Sequence, residues 1–304
     1  MRSRHPEHTV AALGHVATRR QLVERGFTGF DLTSAVRAGR LRRVRRGWYA
    51  TADATSDQLT AVRVGGRLSH ASAARSYGLW AGVDARVHVT VTRGASRLRR
   101  RRTPTFDTVD LWDSEVCVHW TRPGRQDLTS TQTWRVDLAE CLLGAVVEMP
   151  LEHAVACLDT ARSVYGESVL VPFSLAEPRH RRVAALSRPG SESGLESIVR
   201  QRLGRLGLDV QQQVSIAGVG RVDMVVEGLV VIEVDGWEFH KDAFERDHRR
   251  SSTLMSLGRF PLSFTYAQVM DDWPFVERTI LDTVAMSQNR NMGPNRAKKR
   301  AKPS

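Results

Sequence analysis

The strongest constraint on the fold is a set of three strand-like runs in the last third of the 304-residue chain. They are VQQQVSI (210–216), RVDMVV (221–226) and LVVIEVDG (229–236). Side chains alternate across a strand, so Glu233 and Asp235 face one side while Ile232 and Val234 face the other. Carboxylates between apolar residues are costly unless a cation or hydrogen bonds replace their lost hydration. The pattern therefore predicts a site built on paired acids.

The register between the second and third runs decides whether Asp223 joins this pair. A two-residue loop would turn Asp223 away from Glu233. A three-residue loop at 227–229 would place the two acids opposite each other, and Gly228 suits the positive φ that such a loop needs. We predict this loop and a metal site that includes Asp223, Glu233 and Asp235. Oxygen-only ligation favours Mg2+ or Mn2+ over zinc, and the alternative is an acidic sheet edge without metal.

Further periodic segments surround the three runs. In chain order, apolar spacing and capping signals predict a helix at 193–206, the three strands, a charged helix at 242–257, a strand at 259–266 and a helix at 272–286. The predicted order is αβββαβα, which describes a domain at 191–286. Ser193 and Glu196 form a capping-box pattern at the start of its first helix.

This segment resembles the PD-(D/E)xK nuclease superfamily, specifically an uncharacterised family related to very-short-patch-repair endonucleases. The resemblance covers about 194–285 and is carried by the motifs GLESIVRQRLGRLG, RVDMVV, VIEVDGWEFH, DHRRSSTLMSLG and FTYAQV. It implies a restriction-endonuclease-like fold in which Asp223 and Glu233 are metal-binding acids and Glu196 is the acid that the first helix often contributes. The capping box would explain Glu196 equally well without a metal.

The sequence departs from the superfamily at Asp235, where a Lys is usual. That Lys would activate the attacking water and offset the charge of the scissile phosphate. The resemblance implies that His240 takes over as general acid or base, with Lys241 as the nearest spare cation. A helix cap or a pocket edge is the structural alternative for His240.

The charged helix and the following strand carry the remaining candidates. Arg249 or Arg250 would stabilise the phosphate in the transition state, by the same resemblance. Ser251 and Ser263 stand where related sequences tend to carry Asp and Arg. These departures favour the alternative in which the nuclease fold has become a non-catalytic platform.

The first 50 residues are strongly basic, with eleven Arg against three acids. Capping residues and periodicity predict two short helices within 9–25, opened by Thr9 and Thr18, and a third helix at 29–38. The segment LRRVRRGWYA that follows predicts a strand, a turn at Gly47 and a return strand.

Three helices and a basic hairpin are typical of a winged helix-turn-helix, in which a helix enters the major groove. Its phosphate-binding residues would be Arg37, Arg40, Arg42, Arg43, Arg45 and Arg46. The alternative is a helical domain whose basic surface docks on a protein. The segments AGRLRRVRRGWYA (38–50) and LSHASAARSYGLW (68–80) resemble the N-terminal domain of AbiEi-type abortive-infection antitoxins. That resemblance implies a transcriptional repressor domain at 1–80 and leaves a toxin partner unidentified.

The middle of the chain, 81–190, is predicted to be mixed α/β. Strands are expected at 86–94 and 116–120, and two helices at 132–163 are divided by Pro150. The stretch from Met286 to Ser304 holds six basic residues and no acid. This composition predicts a disordered basic tail at 287–304. The fold class is therefore α/β multidomain.

Composition sets limits on location and cofactors. The net charge of +12 favours an anionic partner, and no apolar run is long enough to span a bilayer or act as a secretion signal. The three cysteines, Cys117, Cys141 and Cys157, form no CxxC pair, so neither a disulfide framework nor a zinc site is suggested. We expect a cytoplasmic protein that binds DNA, needs Mg2+ or Mn2+, has no membrane partner and is compatible with a homodimer.

Together these features predict a DNA-binding, metal-dependent endonuclease that hydrolyses phosphodiester bonds in defence or DNA repair. The alternative is a non-catalytic, antitoxin-like transcriptional repressor with a degenerate nuclease fold. A protein-docking module without nucleic acid is the third possibility, which a shallow salt dependence of DNA binding would support.

Overall fold

The computed structural model describes residues 5–95, 98, 115–121, 132–235 and 244–291. Within them the protein is mixed α/β, with three sheets and helices. The chain divides into two compact units, Met1–Leu158 with Glu167–Ala185, and Asp159–Gly166 with Leu186–Ser304. No helix in the described ranges combines the length and the apolar character needed to cross a bilayer.

The first unit begins with six short elements. They are α1 (Pro6–Ala12), β1 (Val16–Thr18), α2 (Arg19–Glu24), α3 (Gly29–Arg37), β2 (Arg42–Arg45) and β3 (Trp48–Ala50). Thr18 caps α2, as predicted, and Thr28 caps α3, each through a complete capping box. The basic hairpin is also confirmed, with Gly47 in the left-handed region at its turn.

The predicted first helix is wrong in its bounds. Its N-cap is His5 rather than Thr9, because Pro6 is suited to the first helical position, and the helix ends at Ala12. Val16 and Ala17 form β1 instead, pairing with β3 to make a sheet of order β1-β3-β2. Both residues are fully buried, so burial against the hairpin outweighs local helical periodicity.

The rest of the first unit contains a second sheet covered by helices. Its elements are α4 (Ser56–Val64), β4 (Arg67–Leu68), α5 (His70–Ser76), β5 (Val87–Val91), β6 (Val116–Trp120), α6 (Leu138–Glu148), the first part of α7 (Leu151–Tyr165), a 3-10 helix (Glu167–Phe173) and α8 (Pro178–Leu186). The sheet order is β4-β5-β6, and β5 runs parallel to β6. Both predicted strands and the helix break at Pro150 are confirmed.

The second unit has the predicted element order with one addition. It comprises α9 (Gly194–Arg205), β7 (Val210–Ile216), β8 (Gly220–Val226), β9 (Val230–Asp235), α10 (Phe244–Ser256), β10 (Phe260–Thr265), α11 (Tyr266–Asp271) and α12 (Trp273–Asn291). The sheet order is β10-β9-β8-β7. A capping box at Thr265 starts α11, which was not predicted. Helix α12 continues past the predicted end at 286, and residues 292–304 of the predicted basic tail lie outside the described residues.

A buried carboxylate fixes the start of α9. Asp159, on α7, is fully buried within the second unit. One of its oxygens accepts from the Ser187 hydroxyl at 2.7 Å and the Arg188 amide at 2.8 Å. The other accepts from the Ser197 hydroxyl at 2.6 Å and the Arg200 guanidinium at 2.8 Å. These bonds hold the chain before α9 against the helix itself, and so position Glu196.

Candidate functional site

The β8–β9 hairpin has the predicted three-residue loop. Val226 pairs with Val230, so residues 227–229 form the turn, and Gly228 has a φ of 68°. The register continues through Met224 and Ile232. By this register Asp223 is level with Glu233 on the same face of the sheet. The even register, which would have separated the two acids, is absent.

The carboxylate of Asp223 accepts a backbone hydrogen bond at the point where the regular β8–β9 pairing ends. The β8–β9 pairs end at Met224 and Ile232, and Asp223 Oδ2 then accepts from the Val234 amide at 2.9 Å. The side chain therefore bridges to the neighbouring strand next to Glu233. This contact holds one carboxylate oxygen of Asp223 at the edge of the acid site.

Glu233 is paired with one of the predicted phosphate-binding residues. Its Oε1 lies 2.5 Å from the Arg250 guanidinium, and both side chains are partly buried. Arg250 also donates to the Arg221 carbonyl. Arg250 lies on α10, one turn before Leu254, which packs with Val225 and Val231 on this face of the sheet. Apolar packing of α10 thus carries the guanidinium to the acid.

Glu196 is a buried carboxylate with three hydrogen-bond donors. It accepts from the Glu192 amide at 3.0 Å, the Ser193 amide at 3.1 Å and the Gln213 side chain at 2.9 Å. Burial raises the pKa of Glu196, and the negative charge of Asp223 raises it further. The predicted capping box is present. The same side chain therefore caps α9 and faces the acid site.

Gln213 is a site residue that the sequence analysis did not single out. It lies in β7 with a φ of 51°, in the left-handed region that non-glycine residues rarely adopt. The β7–β8 pairs on either side of it, Gln212 with Met224 and Val214 with Val222, are regular. This irregular backbone accompanies the bond from its amide to Glu196. The run of three Gln within a strand was the available signal.

The remaining predicted residues are described to different extents. Asp235 ends β9, level with Thr265 on β10, and its side chain lies outside the described residues. His240 and Lys241 also lie outside them. Arg249 is exposed on α10. Ser263 is level with Glu233 on the parallel strand β10.

Two groups of side chains in the described part of the chain could supply three or more ligands to one metal ion, with all ligand atoms within 4.8 Å of one another. They are His88, Cys117, His119 and Glu148, and the set His5, Glu7 and His8. Neither group contains a predicted acid. Asp223, Glu233 and Glu196 are instead each held by donors from the protein.

The six predicted DNA-binding arginines divide into two kinds. Arg37, Arg43 and Arg46 are exposed at the end of α3 and on the hairpin. The others bond to the protein: Arg40 to Glu7, Arg42 to the Ala52 and Ala54 carbonyls, and Arg45 to the Arg63 carbonyl. The guanidinium of Arg45 also packs over Gly65, so this residue supports the hairpin.

No protein-family model matches the chain, and no curated protein matches it.

Proposed function

We propose that the protein is a DNA-binding endonuclease that depends on a divalent metal ion. The second unit would be its restriction-endonuclease-like core, and the first 80 residues its winged helix-turn-helix. The observation that carries the proposal is the three-residue loop at 227–229. It brings Asp223 level with Glu233 on one face of the sheet, with the charge of Asp223 also acting on Glu196.

The donor chemistry of these residues fits Mg2+ or Mn2+. All the described candidates are carboxylates, and hard cations prefer oxygen ligands. Asp223 and Glu233 would hold the ion, with Asp235 at the end of β9 and Glu196 behind them. A bound ion would polarise a phosphoryl oxygen and lower the pKa of water at the site.

The cationic residues of the site have separate tasks. Arg250 now neutralises Glu233, and a DNA phosphate would offer its guanidinium a bidentate alternative. Arg249, exposed on the same helix, is available to the neighbouring phosphate. By sequence resemblance, His240 or Lys241 would move the proton of the attacking water. Gln213 positions Glu196 through its side-chain amide.

DNA affinity would come from the first unit. Arg37, Arg43 and Arg46 extend from α3 and the hairpin, which are the elements that a winged helix-turn-helix presents to DNA. Phosphate contacts of this kind supply affinity without sequence choice. Arg42 and Arg45 would keep the hairpin in place.

A repressor without nuclease activity is the second candidate, and one observation favours it. Arg250 and the Val234 amide already compensate the charges of Glu233 and Asp223, so protein groups alone can stabilise these partly buried acids. The departures from the nuclease pattern at Asp235, Ser251 and Ser263 also favour a protein without catalytic activity.

Cleavage of DNA separates the two candidates. Duplex, mismatched and single-stranded DNA would be incubated with Mg2+ or Mn2+, using the intact protein, Glu233→Gln and the matched control Asp282→Asn. Asp282 is an exposed acid on α12 of the same unit. The nuclease predicts chelator-sensitive cutting that falls by roughly 1,000-fold in Glu233→Gln, because a metal ligand contributes several kcal/mol to the transition state.

The binding assay completes the experiment. Absence of cutting with any substrate, together with salt-sensitive DNA binding, would overturn the nuclease proposal and support the repressor. Equal cutting by wild type and Glu233→Gln would also contradict the proposed site. Binding that is weak and insensitive to salt would instead support the protein-docking alternative.

A further inference from the structure

The second sheet of the first unit carries a cluster of metal-ligand side chains that the nuclease proposal does not use. His88 lies on β5, and its register partner on the parallel strand β6 is Cys117. His119 is two residues further along β6, so it points to the same face as Cys117. Glu148 is the last residue of α6. Two strands and one helix thus contribute to a single cluster.

The distances within this cluster suit one small ion. One ligand atom from each of the four residues lies within 4.8 Å of the other three. His88 Nδ1 and His119 Nε2 are 3.0 Å apart. The Glu148 carboxylate lies nearer the other ring nitrogen of His119, with Oε1 3.7 Å from Nδ1, so only one of these two distances can join two ligands of the same ion. Ligands of a tetrahedral zinc ion at about 2.0–2.3 Å are separated by about 3.3–3.8 Å. The protein alone therefore holds the four ligand atoms within 4.8 Å of one another, and small side-chain shifts would bring them to the spacing of a zinc shell.

A carboxylate on the far side of His88 orients its ring. His88 Nε2 lies 3.1 Å from Asp84 Oδ2, and Asp84 is fixed in turn by the Arg86 guanidinium at 2.7 Å and the Arg86 amide at 3.0 Å. When Nε2 donates to Asp84, the lone pair of Nδ1 points into the cluster. A carboxylate behind a histidine is the arrangement that tunes histidine ligands of metals.

The two histidines are shielded from solvent. His88 is fully buried and the His119 side chain is largely buried. The ring of His70 stacks on His119 with a centroid distance of 3.6 Å and covers that side of the cluster.

We propose that His88, Cys117, His119 and Glu148 bind one Zn2+ ion. A mixed nitrogen, sulfur and oxygen set suits zinc and does not suit Mg2+, which prefers oxygen ligands alone. Four protein ligands complete a tetrahedral shell, so the ion would be structural and would tie β5, β6 and α6 together. The alternative is a hydrogen-bonded polar cluster that binds no metal.

Metal analysis of the full-length chain tests the proposal. The protein would be stripped with a chelator, reloaded with Zn2+ or Co2+, and measured for bound metal and for its Co2+ absorption spectrum. We expect one zinc per chain, and a Co2+ spectrum with the thiolate charge-transfer band and the tetrahedral d–d bands. Cys117→Ser should remove the charge-transfer band, and His119→Gln should weaken zinc binding by at least about 10-fold.

Matched controls separate this cluster from the rest of the chain. Cys157→Ser changes a buried cysteine elsewhere, and His8→Gln changes the exposed histidine group on α1. Both should keep one equivalent of zinc with the wild-type Co2+ spectrum. Folded wild-type protein that retains no zinc after reloading would overturn the proposal. The same holds if Cys117→Ser and His119→Gln bind zinc as tightly as wild type, or if only His8→Gln loses the metal.

Discussion

The β5–β6 sheet of the first unit and the β8–β9 sheet of the second both place candidate metal ligands on one face of two adjacent strands. In the first, the ligand atoms of two imidazoles, a thiol and one carboxylate lie within 4.8 Å of one another. In the second, each acid is held by a counter-charge or a hydrogen-bond donor, such as Arg250 for Glu233. Neutral ligands can hydrogen-bond to one another, whereas carboxylates repel. The chain can therefore pre-form the nitrogen and sulfur part of the first cluster, while the acid site takes its geometry from the donors and the cation that compensate its charges.

The most demanding test of this comparison measures one variant from each sheet for both cleavage and zinc binding. Asp223→Asn should lower Mg2+-dependent cleavage by roughly 1,000-fold, because the amide keeps the side-chain shape but loses a hard anionic ligand. The same protein should keep its single zinc. His119→Gln should lose zinc affinity and keep cleavage with Mg2+. A variant that loses both properties would show that the two sites are not independent.

The next largest effect concerns the anchor of α9. Asp159→Ala removes a fully buried carboxylate and leaves Arg200 without its counter-charge. Breaking a buried ion pair on one side costs about 3–5 kcal/mol. Hydrogen exchange should become much faster in α9 while β5 of the first unit keeps its protection. Asp282→Ala, an exposed acid of the same unit, should leave both unchanged, and equal loss in β5 would contradict the local role of Asp159.

A smaller effect is expected from the carboxylate behind His88. Asp84→Asn should weaken zinc binding by about 10- to 100-fold, because the amide is a poorer acceptor for His88 Nε2. The Co2+ thiolate band should persist, since Cys117 is unchanged. Competition with a chromophoric chelator measures the affinity. Unchanged affinity would mean that Asp84 serves only its pairing with Arg86.

The smallest effect distinguishes exposed arginines of the hairpin from an exposed arginine elsewhere in the first unit. Arg43→Ala and Arg46→Ala should each reduce the slope of log affinity against log salt by about 1, because each loses one phosphate contact. Arg182→Ala, an exposed arginine on α8, should leave the slope unchanged. Identical slopes for all three variants would remove the hairpin from the DNA interface.

The acid sheet was predictable because its determinants are close in sequence. Gly228 indicated the odd loop, and that loop fixed the register of Asp223 and Glu233. Strand β1 was missed because Val16 pairs with Ala50, a contact that local periodicity does not contain. Gln213 was missed because its role depends on an irregular backbone within a strand.

The histidine cluster was missed for a similar reason. His88 and Cys117 meet through a parallel pairing, whose connection is necessarily long. Cysteine spacing alone suggested no zinc site, because the rule considers ligands that are near in sequence. A search for histidine and cysteine at alternate positions of one predicted strand would have identified Cys117 and His119 together.

The placement of Asp159 has a consequence for dividing the protein into fragments. The domain predicted from sequence begins at residue 191, but the carboxylate that secures α9 belongs to the middle of α7. A fragment that starts at residue 191 would retain Arg200 and Ser197 without the group that both contact. A fragment that starts at Leu151 would keep α7 intact and carry its own anchor. A fragment of this domain that keeps all the contacts of α9 is therefore longer than the recognisable sequence motif.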